Sequence, residues 1–168
     1  PGGGVYATGG PLVLRNNFIY RNQSPLGGDG AAVYARDNVP VDIVNNTFVD
    51  NGVALREGLY IQGGDSADAA IRNNLFVGHA LGVRASVLTA VDADYNGYSN
   101  NTINFTGLPP AGHNVLGNPC FVHPEADNYH IRPCSAALDR ADPAPGHFAE
   151  RDIDGHARPQ GSAPDIGA

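Results

Sequence analysis

The chain has 168 residues, 42% of them hydrophobic, which is enough for one domain with a sizeable core. Its formal net charge is −7, all ten basic residues are arginine, and this balance disfavours nucleic acid, anionic membrane surfaces and, without bridging calcium, anionic polysaccharides. No stretch reaches the ~18–20 apolar residues of a membrane span, and 22 glycines with 13 prolines favour many turns over helices. Methionine is absent and no signal peptide is visible, so the chain reads as a mature or excised piece.

Residues 1–26 carry a pattern that returns three times. It begins with Gly4-Val5-Tyr6-Ala7 and ends with Asn16-Asn17-Phe18-Ile19-Tyr20-Arg21-Asn22. Residues 27–57 repeat it as Ala32-Val33-Tyr34-Ala35 and Asn45-Asn46-Thr47-Phe48-Val49-Asp50-Asn51. Residues 58–81 give Gly58-Leu59-Tyr60-Ile61 and Asn73-Asn74-Leu75-Phe76-Val77-Gly78-His79. Residues 82–106 give a worn copy, Gly82-Val83-Arg84-Ala85 and Tyr95-Asn96-Gly97-Tyr98-Ser99-Asn100-Asn101. The second phrase advances by 29, 28 and 22 residues and the first by 28, 26 and 24. Periods of 20–30 residues predict a solenoid in which each copy is one coil stacked on the next.

Alternation before each Asn pair predicts strands with one buried face. Leu12 and Leu14, Val41 and Ile43, Ala69 and Ile71, and Val91 and Ala93 point inward. After the pair, Ile19, Phe48, Phe76 and Tyr98 re-enter the core. Asparagine tolerates left-handed backbone angles, so Asn16, Asn17, Asn45, Asn46, Asn73, Asn74 and Asn96 suit the corner between strands and can bond up the coils as a ladder. We read them as architectural, ahead of an Asn-lined catalytic pocket. The loop Gln62-Gly63-Gly64-Asp65-Ser66 carries no clear chemistry. Sequons at Asn22, Asn45, Asn100 and Asn104 are accidents of an Asn-rich repeat unless the source glycosylates.

The expected fold is therefore all-β: a right-handed parallel β-helix of about four coils over residues 1–106, closed by a turn-rich C-terminal cap over residues 107–168. Pro109-Pro110 marks the boundary. The chain begins inside a strand marker, which predicts either missing upstream coils or a partner on an uncovered coil end. Two strand-like pieces remain in the tail, Cys120-Phe121-Val122 and Tyr129-His130-Ile131.

The G-[VL]-Y-[AI] and [LI]-x-N-N-x-F phrases resemble the right-handed parallel β-helices of the pectin-lyase-like superfamily, over residues 1 to about 106. That superfamily hosts lyases, hydrolases, epimerases, adhesins and structural proteins, so the resemblance implies the fold more than an activity. The tail phrases are N-P-x-F-V-x-P (118–124), S-x-A-L-D (135–139), D-x-D-G-x-x-R-P-x-G (152–161) and D-I-G-A (165–168). They resemble the C-terminal segment of bacterial surface β-helix proteins called choice-of-anchor Q domain proteins. Those proteins usually continue with Tyr and Glu, and many run on to a surface anchor. This chain ends at Ala168, and Ala136 stands where the family often has proline.

Cys120 and Cys134 flank a turn, and a disulfide between them would close a 15-residue loop, a contribution of ~3 kcal/mol in the chain-entropy model. Two small buried thiols are the alternative; a zinc pair lacks further ligands at suitable spacing. The disulfide reading favours an extracellular or periplasmic setting, and with the resemblance the expected location is extracellular or the bacterial cell surface.

For binding, the strand phase that buries Val5, Val33, Leu59 and Val83 turns Tyr6, Tyr34, Tyr60 and Arg84 outward. The opposite phase would bury Arg84 and Arg36 at high cost. A column of tyrosines beside small residues is a candidate carbohydrate-binding strip, with a plain surface ladder as the alternative. Asp92 and Asp94 share an outer face, where Arg72 one coil away predicts a surface ion pair with Asp94 rather than acid–base chemistry. Asp152-x-Asp154-Gly155 resembles the start of a calcium loop, but the closing Glu is missing, and a salt bridge between Arg158 and Asp165 explains the segment more simply. The histidines His113, His123, His130, His147 and His156 lack helical metal-site spacing. No nucleophile elbow, phosphate loop or CxxC is present, so neither a cofactor nor a metal is expected.

The expected function is a secreted or cell-surface structural or adhesive module, with a polysaccharide, or a further copy stacked on the first coil, as its partner. The alternative is a fragment of a polysaccharide lyase or glycoside hydrolase. A lyase would need a base beside an acidic cluster, and Arg84 with Asp92 and Asp94 are the only candidates.

Overall fold

Each copy of the repeat forms three short strands, and each strand pairs with its counterpart one coil later. The computed structural model describes residues 3–23, 32–37, 39–51, 57–63, 68–86, 90–109 and 111–168. Pro1, Ser24 of the first sequon, Gly64, Asp65 and Ser66 of the third-coil loop, and Pro110 lie outside them. The levels are β1 (Val5–Ala7), β2 (Leu12–Arg15), β3 (Phe18–Tyr20); β4 (Val33–Arg36), β5 (Val41–Val44), β6 (Thr47–Val49); β7 (Glu57–Gln62), β8 (Asp68–Arg72), β9 (Leu75–Val77); and β10 (Leu81–Ser86), β11 (Ala90–Asp94), β12 (Gly97–Ser99). Then follow β13 (Ile103–Thr106) and β14 (Val115–Leu116).

All pairings among these strands are parallel, and they make three sheets. The first runs β1-β4-β7-β10-β13, the second β2-β5-β8-β11, and the third β3-β6-β9-β12-β14. The chain is thus an all-β parallel solenoid, as expected. About three full turns carry it from β1 to β10, a small difference from the expected count of about four coils. Among the described residues, no helix is long and apolar enough to cross a membrane.

Register follows the repeat. Val5, Val33, Leu59, Val83 and Phe105 form one inward column, and Tyr6, Tyr34, Tyr60, Arg84 and Thr106 the outward column beside it. The core also takes Ile43, Ile71 and Ala93 from the second sheet and Ile19, Phe48, Phe76 and Tyr98 from the third. Phe48 stacks on Phe76 at 4.7 Å between ring centroids, and Phe76 on Tyr98 at 5.6 Å. The spacing is close to the ~4.8 Å between neighbouring strands, so one aromatic per coil builds a continuous stack.

In the third sheet, β6, β9 and β12 are buried on both faces. Its outward side chains Val49, Leu75 and Val77 form a second core with Tyr129, Ala137, Ala141 and Ile166 of the tail. Tyr129 sits on β16 (Asn128–Ile131), which pairs antiparallel with β15 (Phe121–His123). Its ring packs 5.1 Å from Tyr20, 5.2 Å from Phe121 and 6.0 Å from Phe18. The turn-rich tail therefore lies along the flank of the coils, with bonds to three successive levels described below.

Candidate functional site

Each Asn pair divides its labour. The first member (Asn16, Asn45, Asn73, and Tyr95 in the worn copy) has φ between 53° and 58° and makes the corner. The second member turns inward. Asn17 Nδ2 donates to Asn46 Oδ1 (2.9 Å), Asn46 Nδ2 to Asn74 Oδ1 (3.0 Å), and Asn74 Nδ2 to Asn96 Oδ1 (3.2 Å). Each Oδ1 also accepts the backbone N–H of the Asn one coil earlier, and Asn114 extends the series by accepting from Asn96 N (2.8 Å). The ladder is thus Asn17, Asn46, Asn74, Asn96 and Asn114. It satisfies backbone groups that the corner removes from the sheets.

The first members face the tail. Asn45 Nδ2 donates to the carbonyls of Asp165 (3.1 Å) and Gly167 (3.2 Å), while its Oδ1 accepts Ala149 N–H (3.0 Å). Asn73 Nδ2 donates to His147 O (3.0 Å) and its Oδ1 accepts Asp142 N–H (2.7 Å). Asn16 Nδ2 donates to Arg151 O, and its Oδ1 accepts from Arg158 Nη1 (2.6 Å). The expected Arg158–Asp165 salt bridge does not form. Arg158 instead donates to Asn16 and to the carbonyls of Arg151 (2.7 Å) and Gly167 (2.9 Å), where burial lowers its pKa. Backbone carbonyls converge on the guanidinium there, and its planar donor fork holds several at once.

A second ladder occupies the opposite corner. Asn22 Nδ2 donates to Asn51 Oδ1 (3.1 Å), Asn51 Nδ2 faces His79 Nε2 (3.3 Å), and His79 Nδ1 faces Asn101 Oδ1 (3.2 Å). These residues hold the seventh position of the repeated phrase, which is the signal that could have found them.

The tyrosine column points outward, and its rings stack on one another. Tyr34 lies 5.0 Å from Tyr60 with planes 2° apart, and Tyr6 lies 5.6 Å from Tyr34, tilted by 48°. Arg84 Cζ sits 4.7 Å above the Tyr60 ring while Nη1 donates to Glu57 (3.2 Å). Tyr34 and Tyr60 are 4% and 5% exposed against 44% for Tyr6. The column thus presents Tyr6 and Arg84 to solvent.

The second sheet carries an open trough of about 440 Å³. Two outward columns make it: Pro11, Pro40 and Asp68 on one side, and Val13, Asp42, Ala70 and Asp92 on the other. Val13 is 59% exposed. Asp42 is paired with Arg15 (2.6 Å) and Asp92 with Arg72. Asp94 is Arg72's register partner, as expected, but its side-chain contact is with His113 Nδ1 (2.6 Å). Burial alone would raise the Asp94 carboxyl, and hydrogen bonds from His113 and the Tyr95 N–H outweigh it and hold the pKa low. Arg84 belongs to the first sheet and Asp92 and Asp94 to the second, so the three do not share a face.

The expected disulfide is not formed: Cys120 and Cys134 are free thiols. They are neighbours, and a hydrogen bond with Cys134, followed by burial, raises the Cys120 pKa. Asp152, Asp154 and His156 bring their ligand atoms within 4.8 Å of one another.

No family model, curated protein or solved structure matches this chain. The likeness to pectin-lyase-like and choice-of-anchor Q proteins therefore rests on the motifs themselves.

Proposed function

We propose that this chain is a module of an extracellular or bacterial cell-surface β-helix protein of the pectin-lyase-like kind, and that it holds an extended neutral polysaccharide in the trough on its second sheet. The observation that carries the reading is the trough itself. Pro11, Val13, Pro40 and Ala70 in its two side columns offer apolar contact to sugar C–H faces, and Asp42, Asp68 and Asp92 in the same columns can accept sugar hydroxyls. It crosses four strands at ~4.8 Å spacing, so a linear polymer can lie along the coils and meet apolar and carboxylate groups in turn. The net charge of −7 favours a neutral polymer over an anionic one.

Binding without cleavage is favoured because Asp42 and Asp92 are each already in an ion pair with an arginine. The stacked tyrosine column is, on this reading, mainly a support for the first sheet, with Tyr6 as its accessible member.

Affinity electrophoresis through gels containing neutral polysaccharides tests this. Retardation should be lost in Ala70→Arg, which fills the trough, and kept in Tyr6→Ala. Loss in Tyr6→Ala alone, or equal mobility of wild type in every gel, contradicts it.

A further inference from the structure

We infer that the polymer held in the trough is β-1,4-linked, an assignment that rests on the trough being the binding site. One outward column of the second sheet alternates. It carries Val13 on β2, Asp42 on β5, Ala70 on β8 and Asp92 on β11. Apolar and carboxylate side chains thus take turns from coil to coil, and the pattern returns every second strand, over ~9.6 Å at the ~4.8 Å strand spacing.

The arginines keep the same period. The neighbouring outward column is Arg15, Val44, Arg72 and Asp94. Arg15 reaches Asp42 one coil later, and Arg72 reaches Asp92 one coil later. On the same diagonal, the pair between them is Val44 and Ala70, both apolar. Both Arg15 bonds to Asp42 end on Oδ2 (3.1 and 2.6 Å), and Arg72 meets Asp92 at Oδ2 as well. Among the described residues no bond reaches Oδ1 of either carboxylate. Two carboxylates held alike therefore each present an acceptor oxygen for a hydroxyl proton, two coils apart.

An extended β-1,4-linked chain turns each sugar over relative to the last, so one edge of the ribbon shows the same hydroxyls at every second sugar. Each sugar advances the chain by about one strand spacing. With one sugar per coil, alternate sugars set the same edge against Asp42 and Asp92, and the sugars between them lie on Val13 and Ala70. An α-1,4-linked chain winds and a β-1,3-linked chain curves, so neither keeps a two-coil period along the trough.

Calorimetry of the full chain with tetrasaccharides tests the linkage. The probes are the β-1,4-linked tetramers of glucose, mannose and N-acetylglucosamine, and the α-1,4- and β-1,3-linked tetramers of glucose. At least one β-1,4 tetramer should bind about tenfold more tightly than the α-1,4 and β-1,3 tetramers, the factor expected of one more hydrogen bond to a charged group. The Asp92 side chain is half exposed, so Asp92→Ala should keep the wild-type melting temperature. It should bring that tetramer down to the affinity of the matching disaccharide, which reaches a single carboxylate. Equal or tighter binding of the α-1,4 or β-1,3 tetramer, or unchanged affinity in Asp92→Ala, overturns the linkage; if Ala70→Arg still abolishes that binding, the trough remains the site. No binding of any tetramer, or binding that survives Ala70→Arg, overturns the trough reading along with it.

Discussion

Asn51 Nδ2 points at His79 Nε2 across 3.3 Å inside the wall between two coils, and this contact fixes the histidine's tautomer. Asn51 Oδ1 is committed to Asn22 N–H (3.1 Å), so the amide nitrogen must be the end that meets the ring. On the other side, Asn101 Oδ1 accepts His79 N–H (2.9 Å), so His79 Nδ1 donates to it. His79 is therefore neutral with its proton on Nδ1, and a second proton would collide with the Asn51 donor. Burial lowers its pKa from 6.5 to about 4.

A depressed histidine pKa means that the unfolded chain takes up the proton first as pH falls. The stability that His79 contributes is present above pH 6.5 and is lost as pH drops from 6.5 towards 4, on the order of 3 kcal/mol in all. His79→Asn matches Asn51 and Asn101 in the same column, so it should flatten this dependence. Denaturant unfolding of both proteins between pH 4 and 8 measures it. An equal slope in the variant would show that other groups carry the effect.

The two members of an Asn pair should fail differently. Asn46→Ala strips donors from Leu14 O and Val44 O and an acceptor from Asn17 N, all inside the wall, and should lower global stability by about 2–4 kcal/mol. Asn45→Ala should mainly loosen the tail. Hydrogen exchange would then speed up over residues 149–168 and much less in β5 and β8. Matching exchange patterns in the two variants would contradict this division.

Gly167 has φ 106°, and a Cβ there would sit 2.7 Å from Thr47 Oγ1. Gly146 has φ 84° with nothing within 4 Å of its Cβ position. Both alanine variants carry backbone strain of about 1 kcal/mol, and Gly167→Ala adds a clash beside buried Ile166. Thermal unfolding should therefore show the larger loss for Gly167→Ala. Equal losses would mean that the D-I-G-A end is not held against β6 as described.

Tyr98 ends the stack begun by Phe48 and Phe76, and its hydroxyl is buried with no hydrogen-bond partner among the described residues. Burial, with the Asp94 charge adding to it, pushes its pKa up. Tyr98→Phe should stabilise the fold by about 1 kcal/mol by removing an unsatisfied group. A clear loss of stability would reveal a partner for the hydroxyl.

The coils are legible because alternation such as Val41-x-Ile43 and the recurring Asn pair are local signals, and stacking identical coils fixes the register of the rest. What the tail covers is not local. Leu75 and Val77 flank Phe76 in an unbroken apolar run, which is how a strand buried on both faces reads, yet nothing in it names Ile166 or Tyr129 as the cover. The seventh-position column was visible as letters, but its inward turn depends on left-handed corners at Arg21, Asp50, Gly78 and Asn100. For the tyrosine column the outward phase is legible; the mutual stacking of Tyr34 and Tyr60 depends on ring rotation. Alternation also places Val13 and Ala70 on an outer face, but not the trough between two outward columns, because prolines 11 and 40 precede the strands.

The most direct measurement is methyl NMR of the protein titrated with a neutral oligosaccharide that retards it in the gel. The account predicts shifts concentrated on the outward methyls of Val13 and Ala70, with the Tyr6 ring unmoved. Shifts centred on Tyr6 and Arg84, or none at saturating sugar, would contradict it.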